Sequence, residues 1–161
     1  MVPSMDDGEL MLVNKLAYAR FNADGPAKAV SFLDWDKNGV MEPFGEPRRG
    51  DVIVFHSTQE AGRFLVKRVI GIPGDTVEIR RGDVYSNGEQ VNERTYIDNA
   101  GSFSMAPLHL SPGEYWVMGD NRTGSSDSRI WGTLPRANIV GKAWIAYWPV
   151  SHIGLVKAPR F

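Results

Sequence analysis

Lys67 stands in the middle of FLVKRVIGIPGD, residues 64–75, a stretch that otherwise reads as a buried strand running into a turn. In a strand it shares a face with Leu65 and Val69, while Phe64, Val66, Arg68 and Ile70 point the other way. An ammonium among apolar neighbours is costly unless it is paired or neutral, and burial lowers a lysine pKa by disfavouring the charged form. A neutral lysine is a base. A lone lysine on a strand more often snorkels, its stem on apolar surface and its amine in water, so the chemistry rests on its company. Residues 119–132, GDNRTGSSDSRIWG, crowd small polar groups directly after the apolar strand EYWVM. Such a loop is held by its own side chains, with Asp120, Asn121 and Asp127 pinning backbone amides and Arg122 and Arg129 pairing with the aspartates. Closed by Ile130-Trp131-Gly132, it is expected to fold down and to aim a hydroxyl. The N-terminal VPSMDDGE supplies Ser4. A hydroxyl becomes a nucleophile beside a base, and a lysine of depressed pKa is one of the alternatives to histidine. Ser4 and Lys67 are the candidate pair.

The elements that must position these groups are short and mostly β. Seventeen glycines and ten prolines punctuate segments rich in Val, Ile, Tyr, Trp and Phe, the pattern of a β domain with frequent turns. Candidate strands are DVIVF (51–55), RFLVKRVI (63–70), TVEIRR (76–81), DVYSN (83–87), EYWVMGD (114–120) and GKAWIAYWP (141–149). Residues 9–18 could form a short helix or a strand, their apolar positions fitting neither period cleanly, and residues 19–48 read as loop. The pentapeptide RRGDV occurs at 48–52 and again at 80–84, each time as a Gly-Asp turn entering a strand, too short to be a repeat architecture. DWDKNG, residues 34–39, opens like a calcium loop, but Gly45 stands where the bidentate glutamate is required.

The 161 residues suit one domain spanning 1–161 with a sizeable core. Eighteen basic and nineteen acidic residues leave a net charge of −1, with no footprint for nucleic acid. The absence of cysteine excludes disulfides, thiolate metal sites and a thiol nucleophile, and His56, His109 and His152 are too scattered to suggest a metal. No metal or cofactor is expected. No apolar run approaches the roughly 20 residues that span a bilayer, so the chain reads as soluble as it stands.

Taken in order, these segments resemble the motifs of bacterial type I signal peptidases, membrane-bound serine proteases that use a Ser-Lys dyad. The resemblance covers Ser4-Met5, RGDVIVF (49–55), FLVKRVIGIPGDTV (64–77) and GDNRTGSSDSRIWG (119–132). It implies a mostly β fold of the signal-peptidase type, an antiparallel sheet or partial barrel with few short helices. It implies Ser4 as nucleophile, Lys67 as general base, Ser125 as the hydroxyl orienting the amine, and Asp127 and Arg129 as the residues holding that region together. The expected activity removes signal peptides from preproteins after small residues of the Ala-x-Ala type, and rises on the alkaline side of neutrality. An extended substrate would add as a strand beside Lys67, with Met5, Val66 and, more weakly, Phe64 as pocket walls, all three being equally compatible with core packing. The Ser4 backbone N–H is the first candidate oxyanion donor.

Two departures qualify the resemblance. After Ser-Met the family runs on through Pro-Thr-Leu to Gly-Asp/Glu, whereas this chain reads SMDDGE, about four residues shorter, and Val2 stands where some members carry an oxyanion hydroxyl. The membrane segments that precede the serine motif in the family are missing, so the chain is expected to be the catalytic part of a longer protein at the extracytoplasmic side of the cell membrane. Phe21, Phe32, Trp35, Trp144, Tyr147 and Trp148 are candidates for a surface facing the lipid bilayer, or else for core. Two alternatives remain open: a related Ser-Lys protease with a dedicated substrate, and an inactive relative that binds extended peptides.

Overall fold

The computed structural model describes strands Leu10–Asn14 (β1), Phe21–Asn22 (β2) and Val40–Met41 (β3), residues 45–148, and strand Gly154–Leu155 (β13), with side chains over 45–143. Ser4 and Met5 lie outside the described residues. So do Phe32 and Trp35, and of Phe21, Trp144, Tyr147 and Trp148 only the strand backbone is described. The remaining strands are Val52–His56 (β4), Phe64–Gly71 (β5), Thr76–Arg80 (β6), Asp83–Ser86 (β7), Glu89–Gln90 (β8), Met105–His109 (β9), Glu114–Met118 (β10), Leu134–Pro135 (β11) and Ile139–Trp148 (β12). Among the described residues the only α-helix is the single turn Ser128–Trp131 (α1).

The strands form a seven-stranded antiparallel sheet of order β1-β12-β4-β5-β10-β11, with β13 also on β12, and a four-stranded sheet of order β8-β7-β6-β9. β2 and β3 pair with each other. Mostly β architecture was expected and is what forms, as open sheets rather than a closed barrel.

From Arg68 onward β5, like most of β10, is buried on both faces, which is why apolar residues stand there at odd and even positions alike. On one face Val69, Tyr115 and Val117 join Ile53, Phe55, Leu134 and Ile139 in a core cluster. On the other, Ile70, Trp116 and Met118 pack against Val77, Ile79 and Val84 of the second sheet. Gly71 makes that approach possible. A Cβ there would lie 2.5 Å from Val77 Cγ2 and 2.8 Å from Leu110 Cδ1.

Several expectations change. Residues 9–18 contain a strand, Leu10–Asn14, because β12 offers it a partner from Trp148 to Lys142. Residues 19–48, read as loop, hold the short β2–β3 pair. β9 had no strand signature: its residues MAPLH do not alternate, and they include Pro107. It is tolerated because β9 is an edge strand, paired only with β6. β10 ends at Met118 rather than Asp120, since Gly119 and Asp120 already belong to the loop that follows.

Candidate active site

β4 and β5 form a hairpin whose register places Lys67 opposite Ile53, with Leu65 opposite Phe55. Lys67 therefore shares the face of the Ile53–Phe55–Val69 cluster, at its partly buried margin. Burial is the largest influence on its amine and lowers its pKa from 10.5. The Asp127 and Asp120 carboxylates oppose that shift, and the Arg63 and Arg129 guanidiniums reinforce it. Lys67 forms no ion pair with a described residue, so desolvation prevails and the amine is biased toward the neutral, basic form.

Residues 119–132 fold over this end of β5. Gly119 N–H donates to Asp127 Oδ2 at 2.9 Å and Val117 N–H to Ser128 Oγ at 3.0 Å, fastening the end of the loop to the end of β10. Asp127 caps α1 by accepting from Arg129 N–H at 3.2 Å. It is gripped in a bidentate pair by Arg129, Nε to Oδ1 at 2.8 Å and Nη2 to Oδ2 at 2.7 Å. Burial would raise the Asp127 pKa, but the Arg129 side chain and the Gly119 amide outweigh it and hold the carboxyl below its usual value. It stays ionised and structural.

Ser125 sits inside this frame. Its Oγ is buried and makes no full hydrogen bond with a described group, although it lies toward Asp127. It packs so closely on Gly119 that a Cβ at that glycine would come within 2.2 Å of Ser125 Oγ and 2.6 Å of its Cβ. A buried hydroxyl lacking a described partner, on a loop whose carboxylates act on Lys67, is what an orienting group for a neutral amine requires.

One edge of β5 has no described strand partner beside these residues. β10 pairs with β5 opposite Gly71, Val69 and Arg68 and goes no further. From Phe64 to Lys67, β5 has a described partner only in β4. The Phe64 side chain is 56% exposed and its ring lies 4.6 Å from that of His56.

A family model described as signal peptidase, peptidase S26, matches residues 1–148. The chain belongs to this family. It is 32% identical to a signal peptidase I of Leptolyngbya laminosa over 166 residues, 99% of this chain and 70% of the relative. A probable signal peptidase I-2 of Synechocystis is 39% identical over 69% of this chain and 53% of its own length. The crystal structure of a signal peptidase I from Enterococcus faecalis V583 matches with a TM-score of 0.51 at 32% identity, covering 61% of this chain and 97% of that one. The fold and the enzyme class, a signal-peptidase-type hydrolase, follow from these likenesses.

For a signal peptidase the described part of the site brings together Lys67, Ser125, Asp127 and Arg129, four of the residues singled out from the sequence. Phe64 is exposed rather than core, and Val66 is half-buried. Two expected partnerships in the loop are different. Asp120 pairs with Arg68, Nε to Oδ1 at 2.9 Å and Nη2 to Oδ2 at 2.8 Å, with both side chains 1% exposed. Arg122 pairs with Glu93 rather than with an aspartate. The one sequence signal for the first pair was Arg68 itself, a guanidinium in an apolar strand that demands a carboxylate. Glu93 and its neighbour Tyr96 gave none.

Proposed function

We propose that this chain is a serine endopeptidase that removes signal peptides from preproteins, with Ser4 as nucleophile and Lys67 as general base, cutting after small residues in sites of the Ala-x-Ala type. The observation that carries the reading is the partly buried Lys67 amine, lowered in pKa and without an ion-pair partner among the described residues, next to the loop that holds the buried Ser125 hydroxyl.

In this mechanism neutral Lys67 takes the Ser4 hydroxyl proton as Oγ attacks the scissile carbonyl carbon. The resulting ammonium gives the proton to the leaving amine as the C–N bond breaks, leaving an acyl ester on Ser4. Water then attacks that ester with Lys67 accepting its proton; the acyl C–Oγ bond breaks as the Lys67 ammonium returns a proton to Ser4 Oγ, and the signal peptide departs with its new carboxyl terminus. Ser125 orients the amine, while Asp127 and Arg129 fix the loop that carries it. The Ser4 N–H is the proposed oxyanion donor.

The edge of β5 from Phe64 to Lys67, which has no partner among the described residues, supports substrate entry by strand addition, which delivers backbone hydrogen bonds to any sequence and leaves alternate side chains to pockets. Val66, Met5 and Phe64 are the proposed pocket walls. The exposed Phe64 and Ile130, the latter 73% exposed, favour operation against a lipid surface. Among the described residues no helix is long and apolar enough to cross a membrane, and no group of His, Asp and Glu could hold a metal ion.

The test is cleavage of a preprotein carrying an Ala-x-Ala site, in lipid or detergent at mildly alkaline pH, by the parent and by Lys67→Ala. Cleavage at that site by the parent alone supports the dyad. Equal cleavage by both variants sinks it.

A further inference from the structure

Four heavily buried charges among the described residues lie behind the site, in a chain of contacts that the dyad does not use. Arg68, Asp120, Arg122 and Glu93 are all nearly fully buried, as is Tyr96. Buried charges are tolerated only when paired and hydrogen-bonded, and here each finds its partner in a different part of the fold. Glu93 belongs to the segment between β8 and β9, in the half of the molecule built on the second sheet. Its backbone carbonyl accepts from the Tyr96 and Ile97 amides, each at 3.1 Å, closing a tight turn. Its carboxylate receives both Arg122 amino groups, one of them at 2.9 Å, and the Tyr96 hydroxyl at 2.8 Å. The face of the Tyr96 ring lies 4.4 Å from the Arg68 guanidinium carbon, a cation–π contact that links the turn to the residue beside Lys67.

Arg122 then governs both ends of the catalytic loop. Its Nε donates to the Gly119 carbonyl at 3.0 Å, and its own carbonyl accepts from Arg129 Nη1 at 2.6 Å. Gly119 carries the close packing against Ser125, and Arg129 grips Asp127. We propose that Glu93, with Tyr96, is a positioning residue that acts from the second sheet through Arg122 to fix Ser125 and Asp127 against Lys67. The inference rests on the reading of Lys67 as the general base. The charges that act most on the Lys67 amine are Asp127, Asp120, Arg63 and Arg129, not Glu93, so the main route from Glu93 to that amine is through the loop that carries Asp127 and Arg129.

The test compares the parent chain with Glu93→Gln and Tyr96→Phe, reading preprotein cleavage against pH and, independently of activity, the titration of the Lys67 side chain by NMR of isotopically labelled protein. Tyr96→Phe removes one hydroxyl and keeps the ring over Arg68, so it serves if Glu93→Gln does not fold. A loosened loop admits water to Lys67, so its titration midpoint should rise and the acidic limb of the activity profile should move to higher pH. Because small misplacements in an active site are costly, kcat should fall on the order of ten- to a hundredfold while KM changes little. A variant that is less stable yet, when folded, keeps the parent's Lys67 titration and kcat overturns the proposal. A shifted titration in a chain whose parent cleaves nothing upholds the positioning role while removing the peptidase reading.

Discussion

At the scale of single residues, the site depends on a lysine kept short of charge and a glycine kept short of a side chain. Lys67 is lowered by burial in the folded protein but keeps its ordinary 10.5 when unfolded. Between those two values the unfolded chain binds more protons, so folding gains stability as pH rises through that window. Lys67→Met removes the desolvated ammonium while keeping the stem. The variant should be inactive, yet at neutral pH at least as stable as the parent in urea unfolding, with its advantage shrinking toward alkaline pH. A parent whose urea midpoint does not climb relative to Lys67→Met over that range would mean the amine is not desolvated. Gly119 is the complementary case. An added methyl meets Ser125 Oγ at 2.2 Å, so Gly119→Ala must push Ser125 away. We expect activity to drop on the order of a hundredfold from this displacement. Gly119→Ala/Ser125→Gly should recover stability without recovering activity, as judged by thermal unfolding and cleavage rates side by side.

At the scale of elements, β5 is a single strand with two duties. Its first half, Phe64 to Lys67, has one edge without a described strand partner, and its second half is sandwiched between both core clusters. The change of duty falls near Arg68, where β10 begins to pair, and it fixes Lys67 at the border between core and that edge. Gly71 then lets the second sheet close on β5. Gly71→Ala places a methyl 2.5 Å from Val77 Cγ2, and overpacking of this kind costs about 1–3 kcal/mol. Urea unfolding should show that loss, and Gly71→Ala/Val77→Ala should return part of it. A full-strength Gly71→Ala protein would mean the two sheets are further apart than the packing indicates.

At the scale of the whole molecule, the two sheets are joined by an apolar cluster and by buried ion pairs running parallel to it. Glu93 and Arg122 form such a bridge, while Arg68 and Asp120, 52 positions apart in sequence, form a deeply buried pair within the first sheet, between β5 and the end of β10. Removing one member leaves a buried charge uncompensated, which costs about 3–5 kcal/mol. Asp120→Asn should therefore unfold at markedly lower denaturant, whereas breaking the exposed Arg63–Glu60 pair by Glu60→Gln should cost less than about 1 kcal/mol. Equal losses for the two variants would argue that the Arg68–Asp120 pair contributes no more than a surface contact.

The local chemistry was legible in the sequence. A lysine between apolar strand residues, and a loop of small polar residues after an apolar strand, announce themselves through composition and period-two spacing, and they led to Lys67, Asp127 and Arg129, whereas Ser125 was singled out only by the family resemblance. Most strands of the two sheets were legible for the same reason. Partnerships across the chain were not, because a charge carries no local mark of its distant counterpart. Nothing near Glu93 or Tyr96 points to Arg122, and the aspartates of the loop seemed sufficient for its arginines. The repeated tetrapeptide Arg-Arg-Gly-Asp makes the same point. At 48–51 only Gly50 has a positive φ, 88°, as in a type II turn, and Asp51 accepts from the Arg48 amide. At 80–83 both Arg81 and Gly82 have positive φ, 51° and 93°, as in the type I′ turn of the β6–β7 hairpin. The sequence alone determined that the chain turns at both places and that a lysine stands among apolar residues in β5. Which turn forms, and which carboxylate meets which guanidinium, was decided by the strands and charges that only the folded chain brings alongside.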